Sequence, residues 1–194
     1  MSDMIGKLML MRQLRFGDGK IDLFNQNILI TPSFLVTELT HEMKDEPTLY
    51  EIGRRTGFEW FKTMVKDFRL KEQDIVKWGF TNLTMGGWGK FIIKEVQVLG
   101  KRSHTILEES TIAKEYVKKY GKSDFPVDNF VRGLMAGGAC IIHNHPTMEM
   151  IETKCMAMGE RCCEIIAKPR EELDLKNPFV AKQIGKKAEP LKFQ

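Results

Sequence analysis

Glu152-Thr-Lys-Cys155-Met-Ala157-Met-Gly159-Glu-Arg-Cys162-Cys163 holds three of the four cysteines of this chain. A carboxylate stands three residues before the first thiol. Thiols, a carboxylate and the nearby imidazoles of His143 and His145 are the materials of a metal site or a reactive thiol. Two strands are predicted here, about residues 147–154 and 161–168, joined across Ala157–Gly159. If the turn centres on Gly159, Cys155 and Cys163 lie opposite each other, with Cβ atoms about 5 Å apart. On a regular strand Glu152 would point to the other face, so a β-bulge, or a strand that begins after Glu152, is needed to bring it to the thiols. Spacing alone leaves two readings open: a metal site, or cysteines buried as small hydrophobes.

Working outward, the chain punctuates into short elements. Leu8 to Ile30 reads as strands turning at Gly17-Asp-Gly19 and at Asn25-Gln-Asn27. Thr31-Pro32 opens a helix to about Met43 with Leu35, Leu39 and Met43 on one stripe. Asp45-Glu-Pro47 breaks it, and a second helix runs to Phe68. Gly53 and Gly57 weaken that helix but permit close packing. A shorter helix over Glu72–Phe80 precedes a strand at Phe91–Leu99, with Arg102–Glu108 as its hairpin partner across Gly100. Ser110 caps a helix to Tyr120, and Phe130–Gly138 is helical. The order predicts an α+β domain with a largely antiparallel sheet. A single ligand-binding domain is expected over 1–170, followed by a polar, Lys-rich tail over 171–194 that wraps the surface or hangs loose.

Composition narrows the function. Basic and acidic residues number 30 and 26, a net +4, and no clustered basic stripe points to nucleic acid. No apolar run reaches the length of a membrane span, and Met1–Lys7 does not read as a secretion signal. Two adjacent cysteines among four argue against a disulfide framework and for a reducing cytoplasm. The 12 methionines suit an adaptable apolar core or pocket. Met85-Gly-Gly-Trp88-Gly and Met135-Ala-Gly-Gly-Ala fit no phosphate loop and read better as turns and close contacts.

His143-Asn-His145-Pro146 resembles the zinc motif of JAMM-type metalloproteases and RadC-like proteins. Thr153 and Met156 stand where those families have Ser and the metal-binding Asp, so the ligand set is incomplete. The plainer reading puts both histidines on a turn between helix and strand, with His145 free to line a pocket.

The string Glu152-x-x-Cys155-x-Ala157-x-Gly159-x-x-x-Cys163 resembles the signature of the 4-vinyl reductase domain family. Phe130-Val-Arg-Gly133-Leu-Met-Ala-Gly137 is similar to that family's Gly-bearing helix, and Gly87-Trp88-Gly89 to its strand start. The match covers about residues 85–168. The resemblance implies a small domain related to transport-particle (TRAPP) subunits, usually dimeric, with an apolar pocket between helices and sheet. It implies a sensor that binds small hydrophobic or aromatic molecules and holds zinc. Carried over by position, Glu152, Cys155 and Cys163 are ligands. Asp128 stands near the place of a fourth cysteine; it, His145 or Cys140 would complete the set. Trp88, Phe130 and Leu134 are the candidate pocket residues. A homodimer is expected, with residues 8–30 and the Pro47–Phe68 helix in its interface. Any signal would pass through a regulatory protein partner. The same resemblance leaves two rivals: a reductase-related enzyme of tetrapyrrole metabolism, for which no nicotinamide or flavin fingerprint is seen, and an interaction protein whose pocket holds an acyl chain.

Overall fold

A computed structural model describes residues 6, 9–10, 13–43, 47–70, 72–185 and 190–192. Residues 1–32 and 33–194 form two compact units. The first holds an antiparallel meander of β1 (Leu14–Gly17), β2 (Lys20–Leu23) and β3 (Gln26–Ile28). Its second turn comes earlier than the sequence suggests. Phe24 and Asn25 take positive φ values of 56° and 61°, the pair of left-handed residues that a tight hairpin requires, so Gln26 and Asn27 join β3. Met9 and Leu10 are helical, not strand; Leu8 and Met11 lie outside the described residues, as do 44–46 at the expected helix break.

The second unit contains six helices among the described residues: α1 (Ser33–Glu42), α2 (Thr48–Phe68), α3 (Glu72–Met85), α4 (Thr111–Tyr120), α5 (Asn129–Ile142) and α6 (Pro178–Ile184). Four strands, β4 (Gly89–Gln97), β5 (Arg102–Ser110), β6 (Met148–Lys154) and β7 (Cys163–Pro169), form one sheet in the order β4-β5-β7-β6. Every pairing is antiparallel. The molecule is therefore an α+β fold of antiparallel sheets and packed helices.

Helix α5 is the hub. Its residues from Val131 to Cys140 are all buried, because one side meets α2 and another meets the sheet. Backbones touch at the α2–α5 crossing. A Cβ on Gly57 would lie 2.1 Å from the Leu134 carbonyl oxygen, and one on Gly137 would lie 2.2 Å from the Arg54 carbonyl oxygen. The four glycines Gly53, Gly57, Gly133 and Gly137, spaced four apart on each helix, make this approach possible. The same contacts explain why α5 runs past the expected end at Gly138: those glycines are packing points rather than breakers, and the Phe61 ring fills the space beside Gly138.

A buried polar cluster fastens α2 to β6. Tyr50 donates to Glu149 at 2.5 Å, and Arg170 reaches the other Glu149 oxygen at 2.9 Å. Arg54 donates to the Pro146 carbonyl at 2.8 Å. The C-terminal segment, expected as a polar tail, carries α6. Its Gln183 side chain accepts from the Glu152 amide at 2.8 Å and donates to the Glu152 carbonyl at 3.1 Å. Gln183 thus satisfies the free edge of β6, and it is buried with Ile184.

Candidate metal centre and adjoining cavity

Four side chains converge at the sheet end where β6 leads into β7. One ligand atom from each of Asp128, Glu152, Cys155 and Cys163 lies within 4.8 Å of the others, and all four residues are buried. Local structure places each one. The β6–β7 register shifts between Glu152 and Lys154. Of the two arrangements that the phase of Glu152 allows, the bulge is the one present, since β6 begins well before Glu152, and it turns Glu152 to the same side as Cys155. The chain then makes a 3-10 turn over Met156–Met158, closed by Gly159 at φ 99°, and returns to Cys163 at the head of β7. Asp128 arrives from the start of α5, where its carbonyl accepts from the Arg132 amide at 2.8 Å. Ser110, the N-cap of α4, accepts from the Ala113 amide and donates its hydroxyl to Asp128 Oδ1 at 2.6 Å. One hydroxyl thus starts a helix and orients a candidate ligand.

The electrostatics favour a cation. Burial pushes the Glu152 carboxyl well above its usual range, and the neighbouring Cys155 and Asp128 push it further. Neither Glu152 oxygen has a hydrogen-bond partner. Burial also raises Asp128, against the pull of Ser110 and Cys163. The Cys163 thiol has one proton and two acceptors in reach, the Cys155 sulfur and Asp128 Oδ2 at 3.1 Å. Its hydrogen bond holds Cys155 low and Cys163 high, so the pair shares a proton. Backbone amides of Val127 and Met156 point at the two sulfurs, which favours thiolates. The nearest buried cation, Arg132, is directed elsewhere: to the Met150 and Gln183 carbonyls and to Asn129. Buried carboxylates without partners are costly. A metal ion would satisfy two carboxylates and two sulfurs together. The donor set therefore fits a metal ion.

The other candidates fall elsewhere. His145 precedes β6 while Cys155 follows it, and seven strand residues span about 20 Å. His145 instead meets Thr147 at 3.2 Å and Glu171 at 3.4 Å. Cys140 sits beside Arg54 and the Pro146 and Met148 carbonyls, and burial pushes its thiol up to about 11. Cys162 is half-exposed and outside the cluster.

An apolar cavity lies between α3, α5 and the sheet. Its walls include Phe61, Phe80, Leu83, Met135, Ala139 and Met150, with Ser103 and His143 as polar members. Its free volume is ≈20 Å³, room for one water-sized group. Trp88, Phe130 and Leu134 do not line it. Trp88 and Phe130 pack on each other at 5.4 Å between ring centres, and Leu134 is taken up by the α2 crossing. The lining from α3 was not legible, because an apolar helix face gives the same pattern whether it meets a cavity or a core. Gln183 had no local signal either.

No protein-family model and no curated protein sequence matches this chain. Solved structures do. The phenol-responsive sensory domain of the transcription activator PoxR, crystallised with phenol, aligns over 92% of this chain and 96% of its own, with a TM-score of 0.73 at 20% identity. The fold is that of the PoxR sensory domain. Weaker likenesses include a trafficking protein particle complex subunit 3 from Naegleria fowleri, covalently bound to palmitic acid. It aligns over 73% of this chain and 95% of its own, at TM-score 0.49 and 11% identity. A vinyl-4-reductase family protein from Methanocaldococcus jannaschii aligns over 70% and 77%, at TM-score 0.48 and 16% identity. Among the described residues no helix is long and apolar enough to cross a membrane.

Proposed function

We propose that this chain is a sensor-type domain that binds a small hydrophobic molecule in the cavity beneath α3 and holds a structural zinc ion at Asp128, Glu152, Cys155 and Cys163. The observation that carries it is the buried four-residue cluster with its two unpartnered Glu152 oxygens. Two thiolates and two carboxylates suit zinc, and four protein ligands leave no open position for catalysis. The ion's part is to tie the β6–β7 hairpin to the start of α5. Strand β6 carries both Glu152 and, two residues earlier on the same face, the cavity residue Met150. The likeness to a phenol-responsive domain supports a small aromatic ligand. The present free volume is smaller than such a ligand, so binding moves the α3 side chains Val76, Phe80 and Leu83 outward. A homodimer, a regulatory protein partner and a cytoplasmic location belong to the same proposal; free cysteines support the last, and sedimentation tests the first.

The test is titration of the zinc-loaded protein with toluene and with phenol, followed by calorimetry. Saturable binding that is lost in Val76→Phe, which fills the cavity from its outer wall, is the expected result. Absence of saturable binding by either compound overturns the reading.

A further inference from the structure

Helix α6 bridges two segments that each carry a candidate metal ligand. Near its C-terminus it sits on β6. The Gln183 side chain pairs with both the amide and the carbonyl of Glu152, at 2.8 and 3.1 Å, and is buried. Its other contacts reach the loop between α4 and α5. The Phe179 ring packs on Phe125 at 5.2 Å between centres, and Lys182 Nζ lies 4.6 Å from the centre of the same Phe125 ring. Phe125 stands three residues before Asp128. Two arginines complete the seat. Arg132 of α5 donates to the Gln183 carbonyl at 2.8 Å, and Arg170, just after β7, donates to the Gly185 carbonyl at 2.6 Å. With seven residues, α6 is too short to hold itself as an isolated helix, so its order comes from this seat.

The seat has two halves, and the metal centre spans the seam between them. Asp128 ends the loop half, and Glu152 is the strand half. Bound to one ion, the two carboxylates fix the loop against β6. Without it, the loop is tied to the hairpin by the Ser123 amide on the Ala157 carbonyl at 2.9 Å, the Val127 amide on the Cys155 sulfur, and the Cys163 thiol on Asp128 at 3.1 Å. Hydrogen bonds of this kind are individually modest. Resting on the metal-centre reading above, we propose that α6 is a metal-responsive strap. It is seated across the loop and β6 while Asp128 and Glu152 share an ion, and it leaves the seat when the ion is removed. Gln183 is then a positioning residue, which acts on the ion through the Glu152 backbone without touching it. The coupling runs both ways: zinc tightens the seat by the same factor as the seat tightens zinc. Departure of the strap bares the Glu152 amide and carbonyl, so emptying the site also opens a strand edge.

The experiment is hydrogen exchange read by mass spectrometry on the full-length chain, with buffered zinc and after chelation, together with zinc affinity measured by competition with a chelating dye. The expected result is that chelation speeds exchange over residues 178–185 by about tenfold or more, while the α2 amides at the α5 crossing keep their protection. Gln183→Ala keeps all four ligand side chains and should weaken zinc binding about 10- to 100-fold, the cost of losing a partner that orients a ligand. Phe179→Ala acts on the loop half of the seat and should weaken zinc in the same direction. If these variants do not fold, the exchange comparison on the native chain decides alone. Equal exchange in α6 with and without zinc, in protein that binds zinc, overturns the strap and leaves the metal-centre reading standing. A uniform rise over α2 and α6 also overturns it, because the ion then stabilises the whole fold rather than this seat. Zinc affinity unchanged in Gln183→Ala breaks the required reciprocity and overturns the strap as well. No zinc binding by the native protein removes the metal-centre reading and this inference with it.

Discussion

Glu152→Gln separates a metal ligand from a merely buried carboxyl, because it acts in opposite senses with and without the ion. In the metal-free protein the carboxyl has no hydrogen-bond partner at either oxygen, and burial disfavours its charge. Replacing it with a neutral isostere therefore leaves stability unchanged or raises it. Zinc reverses the order. At a free zinc concentration about 100 times the dissociation constant, the native protein gains about 2.7 kcal/mol. Loss of one ligand weakens binding by at least about 100-fold, if the upper end of the effect of outer partners is taken as a floor. The gain then shrinks to about 0.4 kcal/mol at the same zinc concentration. For a chain of this size 1 kcal/mol moves the melting temperature by about 2–4 °C. Zinc should thus raise the native midpoint by about 5–11 °C and that of Glu152→Gln by about 1 °C. Paired thermal melts with chelator and with buffered zinc read both numbers. An equal zinc-dependent shift in the two proteins refutes the ligand role of Glu152.

Further outcomes follow from the packing and from the acidic cluster. Gly137→Ala places a Cβ 2.2 Å from the Arg54 carbonyl oxygen and 2.3 Å from the Phe58 amide nitrogen. The overpacking cost of about 1–3 kcal/mol outweighs a helix-propensity gain of about 1 kcal/mol, so the urea midpoint should fall; a rise would show that the helices part easily. Metal-free protein should lose stability as pH rises. Asp128 and Glu152 are both held above their ordinary values, 3.8 and 4.5, when folded. Above those values the unfolded chain releases protons that the folded chain keeps, so this contribution is full below about pH 4 and declines upward. Zinc binding should release protons and tighten with pH, which calorimetry in buffers of different ionisation heat detects.

The parts of the fold legible in the sequence are those with local signals. Gly100 and Lys101 turn β4 into β5, Ser110 caps α4, and Gly159 closes the β6–β7 turn. A break in the β6 pleat near Glu152 was legible too, since Glu152 and Cys155 share a face only with a bulge or a later strand start; that it is a bulge was not. Asp128 was reached by its position before the Gly133 helix, and its Ser110 hydrogen bond had no sequence signature. The misplaced features are those decided by distant contacts. Gly137 and Gly138 read equally as a turn or a close contact, which ended the helix at Gly138, until α2 and Phe61 are placed against them. The polar stretch after residue 170 reads as a tail because the amide pairing of Gln183 with Glu152 crosses 31 positions. His143 outranks His145 as a cavity residue only once α5 is known to run to Ile142.

The most direct measurement is metal content by plasma mass spectrometry on protein purified without chelator, for the native chain and for Cys162→Ser and Cys163→Ser. Cys163 is buried in the cluster beside Asp128, whereas Cys162 is half-exposed and outside it. The account predicts zinc at about one ion per chain in the native protein, the same in Cys162→Ser, and loss in Cys163→Ser, as a closed thiolate site requires. No metal in the native protein, or equal zinc in both variants, would contradict it.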